Sequence, residues 1–340
     1  MKKNVNIKDI ARIAGVGVTT VSRVINNHAD VKKETRENIL DIINEYNYIP
    51  NNSARNLKRS ETKTIGVLVK GIYNPFFSRI VRVIEMEIAK FDYAMILHYN
   101  PKDCTSSDTN VATELIKEKK LSGLICLGGS YDITEDHQIE ELETPIVLCS
   151  AVVSGGTDRD VISSVCIDDN EASYRGVKKL IEFGHKEIGM IRIKNDDISG
   201  CKYRYEGYKR ALIDSNIEIN EDYVAVGDYS FESGHHAMIE LLDRGSKISA
   251  VFVATDIMAI GATRAILERG LRVPEDISVL GFDGNEFAEY FMPSISTIKQ
   301  PVGLLGEKSV EILFDLIKGG QNLHYKLDTE FISRESLIKI

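Results

Sequence analysis

Residues Asn6–Asn27 read NIKDIARIAGVGVTTVSRVINN. Ile7, Ile10, Ala11 and Ala14 recur at the spacing of one helical face, with Asn6 placed to cap that helix and Gly15 to stop it. A second helix can start near Val18 behind Gly17. If Val21, Val24 and Ile25 turn inward, then Val18, Thr19, Ser22 and Arg23 are left pointing away from the core. A third helix, after Val31 and with Thr35 near its start, carries Ile39, Ile42, Ile43 and Tyr46 at the same spacing. Two short helices joined through a glycine turn, with a third behind them, predict a helix-turn-helix unit whose second helix fits a DNA major groove. Arg23 suits a bidentate pair with guanine, Val18 and the Thr19 methyl suit thymine methyls, and Thr20 and Ser22 suit phosphates. Periodicity alone also allows a plain helical cap with a solvated polar face.

Charge separates this head from the rest of the chain. The 340 residues carry a net −9, yet residues 1–60 hold eleven Lys/Arg against six Asp/Glu, a local +5 that leaves −14 on the remainder. Phosphate neutralisation is local, so a basic head on an acidic body points to nucleic-acid contact at one end.

Length suits two or three domains, and 43% apolar with 27% charged residues belongs to a globular protein rather than a disordered one. The opening MKKNVNIKD has no apolar signal region, and no apolar run approaches the roughly 20 residues of a membrane span, so a cytoplasmic protein is expected. Cys104, Cys126, Cys149, Cys166 and Cys201 form no CxxC pair. Three of them sit in apolar runs, where cysteine packs as a small hydrophobe. Phosphate loops, GxGxxG fingerprints and GxSxG elbows are missing from the sequence, and the adjacent His235 and His236 would diverge on a helix. No catalytic residue, metal site or cofactor is expected.

From Thr64 onward short apolar runs alternate with amphipathic stretches. TIGVLV, YAMILH, LSGLICL and PIVLCS form one series, and the pattern restarts at SVCID and continues through EIGMIRI, AVFVA and ISVLGF. This is a repeated strand-helix unit, and it predicts an α/β body of two doubly wound lobes with parallel sheets, whose ligands bind at the carboxyl ends of strands. At such ends stand NPFF (Asn74–Phe77), Arg204, Thr255 with Asp256, and Asp283. An Arg and an Asp beside an aromatic face resemble the few fixed polar groups and apolar walls of a sugar pocket. A merely structural Arg204–Asp283 pair, or exposure of both, is the other reading.

The head, with VKKETRENILDIINEYNYIPNNSARNLK behind it, closely resembles the DNA-binding domain of the lactose/galactose repressor family of bacterial regulators, TVSRV included. LIEFGHKEIGMI, RYEGYKRAL, ATDIMAIGATRAILERGLRVPEDISVLGFDG, PSISTIKQP and FISRESL extend the resemblance over the body. The family's fold is a helical head on a body similar to periplasmic sugar-binding proteins. Carried onto this sequence, the resemblance implies a DNA-binding domain at 1–49 and a hinge at 50–62. An effector and dimerisation domain follows at 63–340, its N-lobe about 63–163 and 294–322 and its C-lobe about 164–293 and 323–340.

By itself the segment after Pro50 reads as a linker, since a helix of one or two turns is marginal in water. The resemblance makes it a hinge helix that forms on DNA, pairs with its twin in a homodimer, and drives Leu57 into the minor groove, a wedge that kinks the duplex. It assigns DNA contact to Val18, Thr19, Thr20, Ser22, Arg23, Asn26, Asn52, Ala54, Arg55, Leu57 and Lys58, with Val18 and Thr19 choosing the operator. Gly17 departs from the family's usual serine. For the effector, the resemblance implies Asn74, Phe76, Arg204, Thr255 and Asp283, with Thr255 where relatives often carry asparagine. The partners implied are a double-stranded operator, a small sugar and a second copy of the chain, with no membrane, acting on the nucleoid. Control by a phosphocarrier protein or a purine is the alternative within the family. The body ends without a leucine heptad, so a dimer rather than a tetramer is expected.

Overall fold

The computed structural model describes residues 5–25, 28, 30–46, 48, 63–71, 74–100, 107–132, 143–154, 162–193 and 200–340. The chain divides into two units, 1–62 and 63–340, and each is taken by itself.

The first unit holds helices α1 (Ile7–Ile13), α2 (Val18–Ile25) and α3 (Lys33–Glu45). Asn6 caps α1 by accepting from the Lys8 and Asp9 amides, while the Asp9 carboxylate accepts from the Asn6 amide, a reciprocal box that satisfies orphan donors of the first turn. Gly15 follows at φ +66°, a left-handed conformation that costs glycine little, and this turns the chain into α2. The Gly17 carbonyl accepts from the amides of Thr20 and Val21 and so starts α2. Ile10, Ala11, Val21, Val24, Ile39 and Ile42 form a small core, with Ile7, Ala14, Ile25 and Ile43 packed against it. The apolar faces expected from sequence are therefore the faces that meet, except that Tyr46 follows the end of α3 and is exposed.

The second unit contains two six-stranded sheets. In the first, β1 (Thr64–Lys70) pairs with β2 (Ala94–Asn100) and β3 (Gly123–Leu127); beyond β3 come β5 (Ile146–Cys149), β7 (Ser163–Ile167) and β13 (His324–Leu327), all parallel. A separate two-stranded ribbon pairs β4 (Ser130–Asp132) with β6 (Val152–Ser154). The second sheet runs β14 (Glu330–Ile332), β12 (Ser296–Lys299), β11 (Ser278–Asp283), β10 (Ala250–Val253), β8 (Ile188–Ile193), β9 (Val224–Gly227), parallel except for β14. Strands such as β1, β3, β10 and β11 are buried almost throughout, as parallel strands covered on both faces must be.

Helices α4 (Pro75–Ile88), α5 (Asp108–Lys119) and, late in the chain, α11 (Val302–Ile317) cover the first sheet. The second is covered by α6 (Asp169–Glu182), α7 (Gly200–Ile213), α8 (Phe231–Asp243) and α9 (Asp256–Glu268), and the short α10 (Glu286–Tyr290) links β11 to β12.

The chain crosses between sheets after Ile167, after Lys299 and after Leu327. Each crossing falls a few residues beyond the boundary read from sequence. SVCI, which opens the second apolar series, pairs with β5 through Val147–Ser163 and Cys149–Val165 and belongs to the first sheet instead. Strand β12 follows a loop and looks like a return to the first lobe, but it pairs with β11 through Leu280–Ser296 and Asp283–Lys299. Arg79, in the helix that follows β1, donates to the carbonyl of Gly284 just past the end of β11, which brings carboxyl ends of the two sheets face to face.

Candidate DNA-reading and effector sites

On α2, Val21 and Val24 are buried, while Val18, Thr19 and Arg23 are exposed and Thr20 and Ser22 half-buried. Of the outward set expected from the helical spacing, Val18, Thr19 and Arg23 are exposed and Ser22 is half-buried. Arg23 Nη1 holds Asp30 Oδ2 at 2.9 Å, both side chains mostly exposed, so the ion pair is one that solvent screens strongly. Asn26, Asn52, Ala54, Arg55, Leu57 and Lys58 lie outside the described residues.

In the body, Arg204 lies on the second turn of α7 and is 7% exposed. Its Nε donates to Asp169 Oδ1 at 2.7 Å, and its Nη1 to the Ala254 carbonyl at 2.6 Å and Asp283 Oδ1 at 3.4 Å. The guanidinium carbon stands 3.7 Å from the centre of the Phe282 ring, which fixes the plane of the fork. Arg204 and Asp283, singled out from sequence 79 residues apart, are thus brought together, although Arg204 stands within a helix rather than at a strand end.

Asp283 ends β11 at φ +110°, a conformation unusual for any residue with a Cβ. Its Oδ1 also accepts from Gln300 Nε2 at 2.9 Å. Its Oδ2 has no hydrogen-bond partner among the described residues, and neither do Gln300 Oε1 or the Oδ1 and Nδ2 of Asn285. Asn285 precedes α10 in the capping position yet makes no cap bond. These are costly atoms to leave unpaired when so deeply buried, and their residues stand at the ends of β11 and β12.

Asp256, the first residue of α9, is fully buried beside this group. Its Oδ1 accepts from the Thr297 hydroxyl and its Oδ2 from the Asn285 amide, both at 2.6 Å. Burial pushes its carboxyl up to about 8, with the nearby Asp283 charge adding to the effect; burial pushes Asp283 up to about 6 against the downward pull of Arg204.

The remaining residues singled out from sequence are helix caps and packing residues, Thr255 directly beside Ala254 and Asp256. Thr255 is buried and its hydroxyl caps α9 by accepting from the Met258 amide at 3.3 Å. Asn74 caps α4, accepting from the Phe76 amide at 3.0 Å. Phe76 is 2% exposed and packs in the first lobe's core with Ile80 and Ile84. The half-buried aromatic at the strand ends is Phe77, close against Gly128, whose φ of +68° and lack of a Cβ admit the ring. Sequence reading passed over Phe282, Asn285, Thr297 and Gln300. The signal available was that Phe282 directly precedes Asp283 on an otherwise buried strand.

A helix-turn-helix head and a two-lobed body with facing strand ends define a DNA-binding regulator with a periplasmic-binding-protein-like sensor. The comparisons agree. Residues 6–51 match the model of bacterial regulatory proteins of the lacI family, and residues 177–337 that of the periplasmic binding protein-like domain. The chain is 44% identical over 337 residues to the HTH-type transcriptional regulator MalR of Clostridium butyricum, covering 98% of this chain and 100% of that one. Its fold is similar to the lac repressor dimer bound to operator and the anti-inducer ONPF, with TM-score 0.80 and 29% identity over 99% of this chain and 100% of that chain. It is also similar to the transcriptional regulator CelR in complex with cellobiose, with TM-score 0.72 and 29% identity over 98% and 99%.

The chain belongs to the LacI family of bacterial transcriptional regulators. It is a DNA-binding regulator and not an enzyme.

Proposed function

We propose that this protein is a cytoplasmic homodimeric repressor of carbohydrate-utilisation genes. It reads a pseudo-palindromic operator on the nucleoid and is controlled by a small sugar held between the lobes. In this reading Val18, Thr19 and Arg23 meet base edges, and Thr20 and Ser22 meet phosphates. Arg204 and Asp283 grip neighbouring hydroxyls of the sugar, and the Phe282 face braces the guanidinium that does so. Asn74, Phe76 and Thr255 shape the wall as helix caps and packing rather than by direct contact.

The observation that carries the reading is the unpaired Asp283 Oδ2, buried beside Asn285 and Gln300 whose polar atoms are also unpaired. A sugar hydroxyl both donates and accepts, so adjacent hydroxyls satisfy such a mixed set, whereas an apolar ligand leaves it unpaired. The sugar bound in the solved CelR complex, cellobiose, supports a saccharide.

The test is thermal denaturation of the full chain with cellobiose, maltose, ribose, glucose, guanine and hypoxanthine, repeated with Asp283→Asn. A saccharide is expected to raise the wild-type melting temperature, leave the variant unmoved, and change the affinity for operator DNA. A response to a purine alone, or an undiminished sugar response in the variant, overturns the reading.

A further inference from the structure

Asp283 reaches its site through a corner of three residues, Asp283–Gly284–Asn285, with positive φ at the first two. A backbone turned this way does not hold itself, so the surroundings must over-determine it. Two side chains from different elements do so. The Gly284 amide donates to Thr297 Oγ1 at 3.2 Å, and the Asn285 amide to Asp256 Oδ2 at 2.6 Å. The Thr297 hydroxyl closes the ring by donating to Asp256 Oδ1 at 2.6 Å. The Gln300 amide meets the Asp283 carbonyl from the neighbouring strand at 3.2 Å. Thr297 and Asp256 are both fully buried. Gly281 makes room for the carboxylate: a Cβ at that position would run into Asp256 Oδ1.

We propose that Asp256 and Thr297 are the positioning pair of the effector site, a buried carboxylate and hydroxyl that clamp the Asp283 corner so that its carboxylate lies against Arg204. The inference rests on the reading of Asp283 as an effector ligand but concerns residues that touch no effector. Asp256 and Thr297 act on the corner's amides alone. The two hydrogen bonds donated to Asp256, from the Thr297 hydroxyl and the Asn285 amide, favour its ionised form against the burial that pushes its carboxyl up to about 8. Thr297 Oγ1 already accepts from Gly284, so its own proton goes to Asp256 Oδ1. A proton on that oxygen would leave the threonine hydroxyl without an acceptor among these groups. Burial and the Asp283 charge oppose ionisation. Charge state and corner geometry are therefore tied together. The charged groups around the ring are Arg334 toward Asp256, Arg204 and Asp169 toward Asp283, and Arg79 and Lys299 at Gly284.

The experiment follows the aspartate carboxyl carbons by NMR across pH in the full chain, assigned with Asp256→Asn and Asp283→Asn, and needs no sugar. Thr297→Val relative to wild type, and Asp256→Ala relative to the equally uncharged Asp256→Asn, are expected to show the Asp283 midpoint raised by about half a pH unit or more as the carboxylate drifts from Arg204. Thr297→Ser, which restores the hydroxyl, and Asp256→Asn, which keeps an acceptor for the Asn285 amide, are expected to keep Asp283 beside Arg204. An unchanged midpoint in both comparisons overturns the proposal, because a pair serving stability alone lowers the melting temperature without moving it. If those two variants fail to fold, the wild-type protein decides. The Asn285 amide resonance and the Asp283 carboxyl carbon must both show the inflection of the Asp256 carboxyl carbon, and independent inflections overturn the clamp. Loss of the sugar response in the thermal test with these midpoints behaving as expected would instead sink only the effector reading.

Discussion

Arg79 Nη1 donates to the Gly284 carbonyl at 2.8 Å, joining a helix of the first lobe to the residue next to Asp283 in the second. The Asp283 carboxylate and an inter-lobe bond are thus one residue apart. Arg79→Met is expected to destabilise the body by about 1.5 to 3 kcal/mol, the range for a hydrogen bond to a charged group. It should also shrink the effect of sugar on operator affinity. Urea denaturation and fluorescence anisotropy on an operator duplex check both, and a wild-type stability in the variant shows that the bond contributes nothing in solution.

Arg204 is bonded to two aspartates and stacked on Phe282. Removing one partner leaves the others buried and uncompensated, so Arg204→Met should cost about 3 to 5 kcal/mol in chemical denaturation. Arg204→Lys keeps the charge but loses the planar fork, and is expected to fold better than the methionine variant while still losing the sugar response.

Asp256 and Asp283 lie at about 8 and about 6 in the folded chain, both above the ~3.9 of an unfolded aspartate. Between these values the native state binds more protons than the unfolded state. The stability these two groups contribute is therefore complete below about pH 4 and declines as pH rises through 6 and then 8. Asp256→Asn escapes its share of this decline. Its melting temperature relative to wild type is expected to climb between about pH 5 and pH 9. A pH-independent difference between the two proteins would contradict the assignment.

For the head, Arg23→Gln should lose about 1 to 3 kcal/mol of discrimination at one guanine of each half-site. Anisotropy on the operator and on a duplex carrying adenine there measures this, and an equal loss on both duplexes would assign Arg23 to phosphate. Asp30→Asn frees Arg23 from its ion pair and removes a negative charge, so DNA affinity should rise at low salt.

Gly17→Ser restores a capping hydroxyl in front of α2. A Cβ there meets Thr19 Oγ1 only at ordinary contact distance, so the residue fits, and the head should gain on the order of a few tenths of a kcal/mol. Thermal denaturation of the full chain, followed at the head transition, checks the sign.

The head was legible because each of its helices buries one face, and that periodicity survives in the sequence as Ile10, Val21, Val24 and Ile39. Strand ends were legible too, which is why Asp283 stood out. What sequence did not reveal was partnership. Thr297 and Gln300 join Asp283 only because β12 lies parallel beside β11, and Asp256 joins them only because α9 begins under that corner. Sheet order is a long-range property that local pattern does not carry. The edge strands HYKL and EFI are short and at most half-buried, so no apolar alternation marked them. An aromatic wall was expected at Phe76, but NPFF is a helix start, and helical geometry turns Phe76 into the core and leaves Phe77 outside.

The facing of the two sets of strand ends has an electrical consequence. Helices α4, α6, α9 and α11 each begin just past such an end, so their positive dipole ends converge on the space between the lobes. That field helps offset Asp169, Asp256 and Asp283, three acids gathered around a single directly bonded arginine. The space between the lobes is thereby kept from building up a large net charge of either sign.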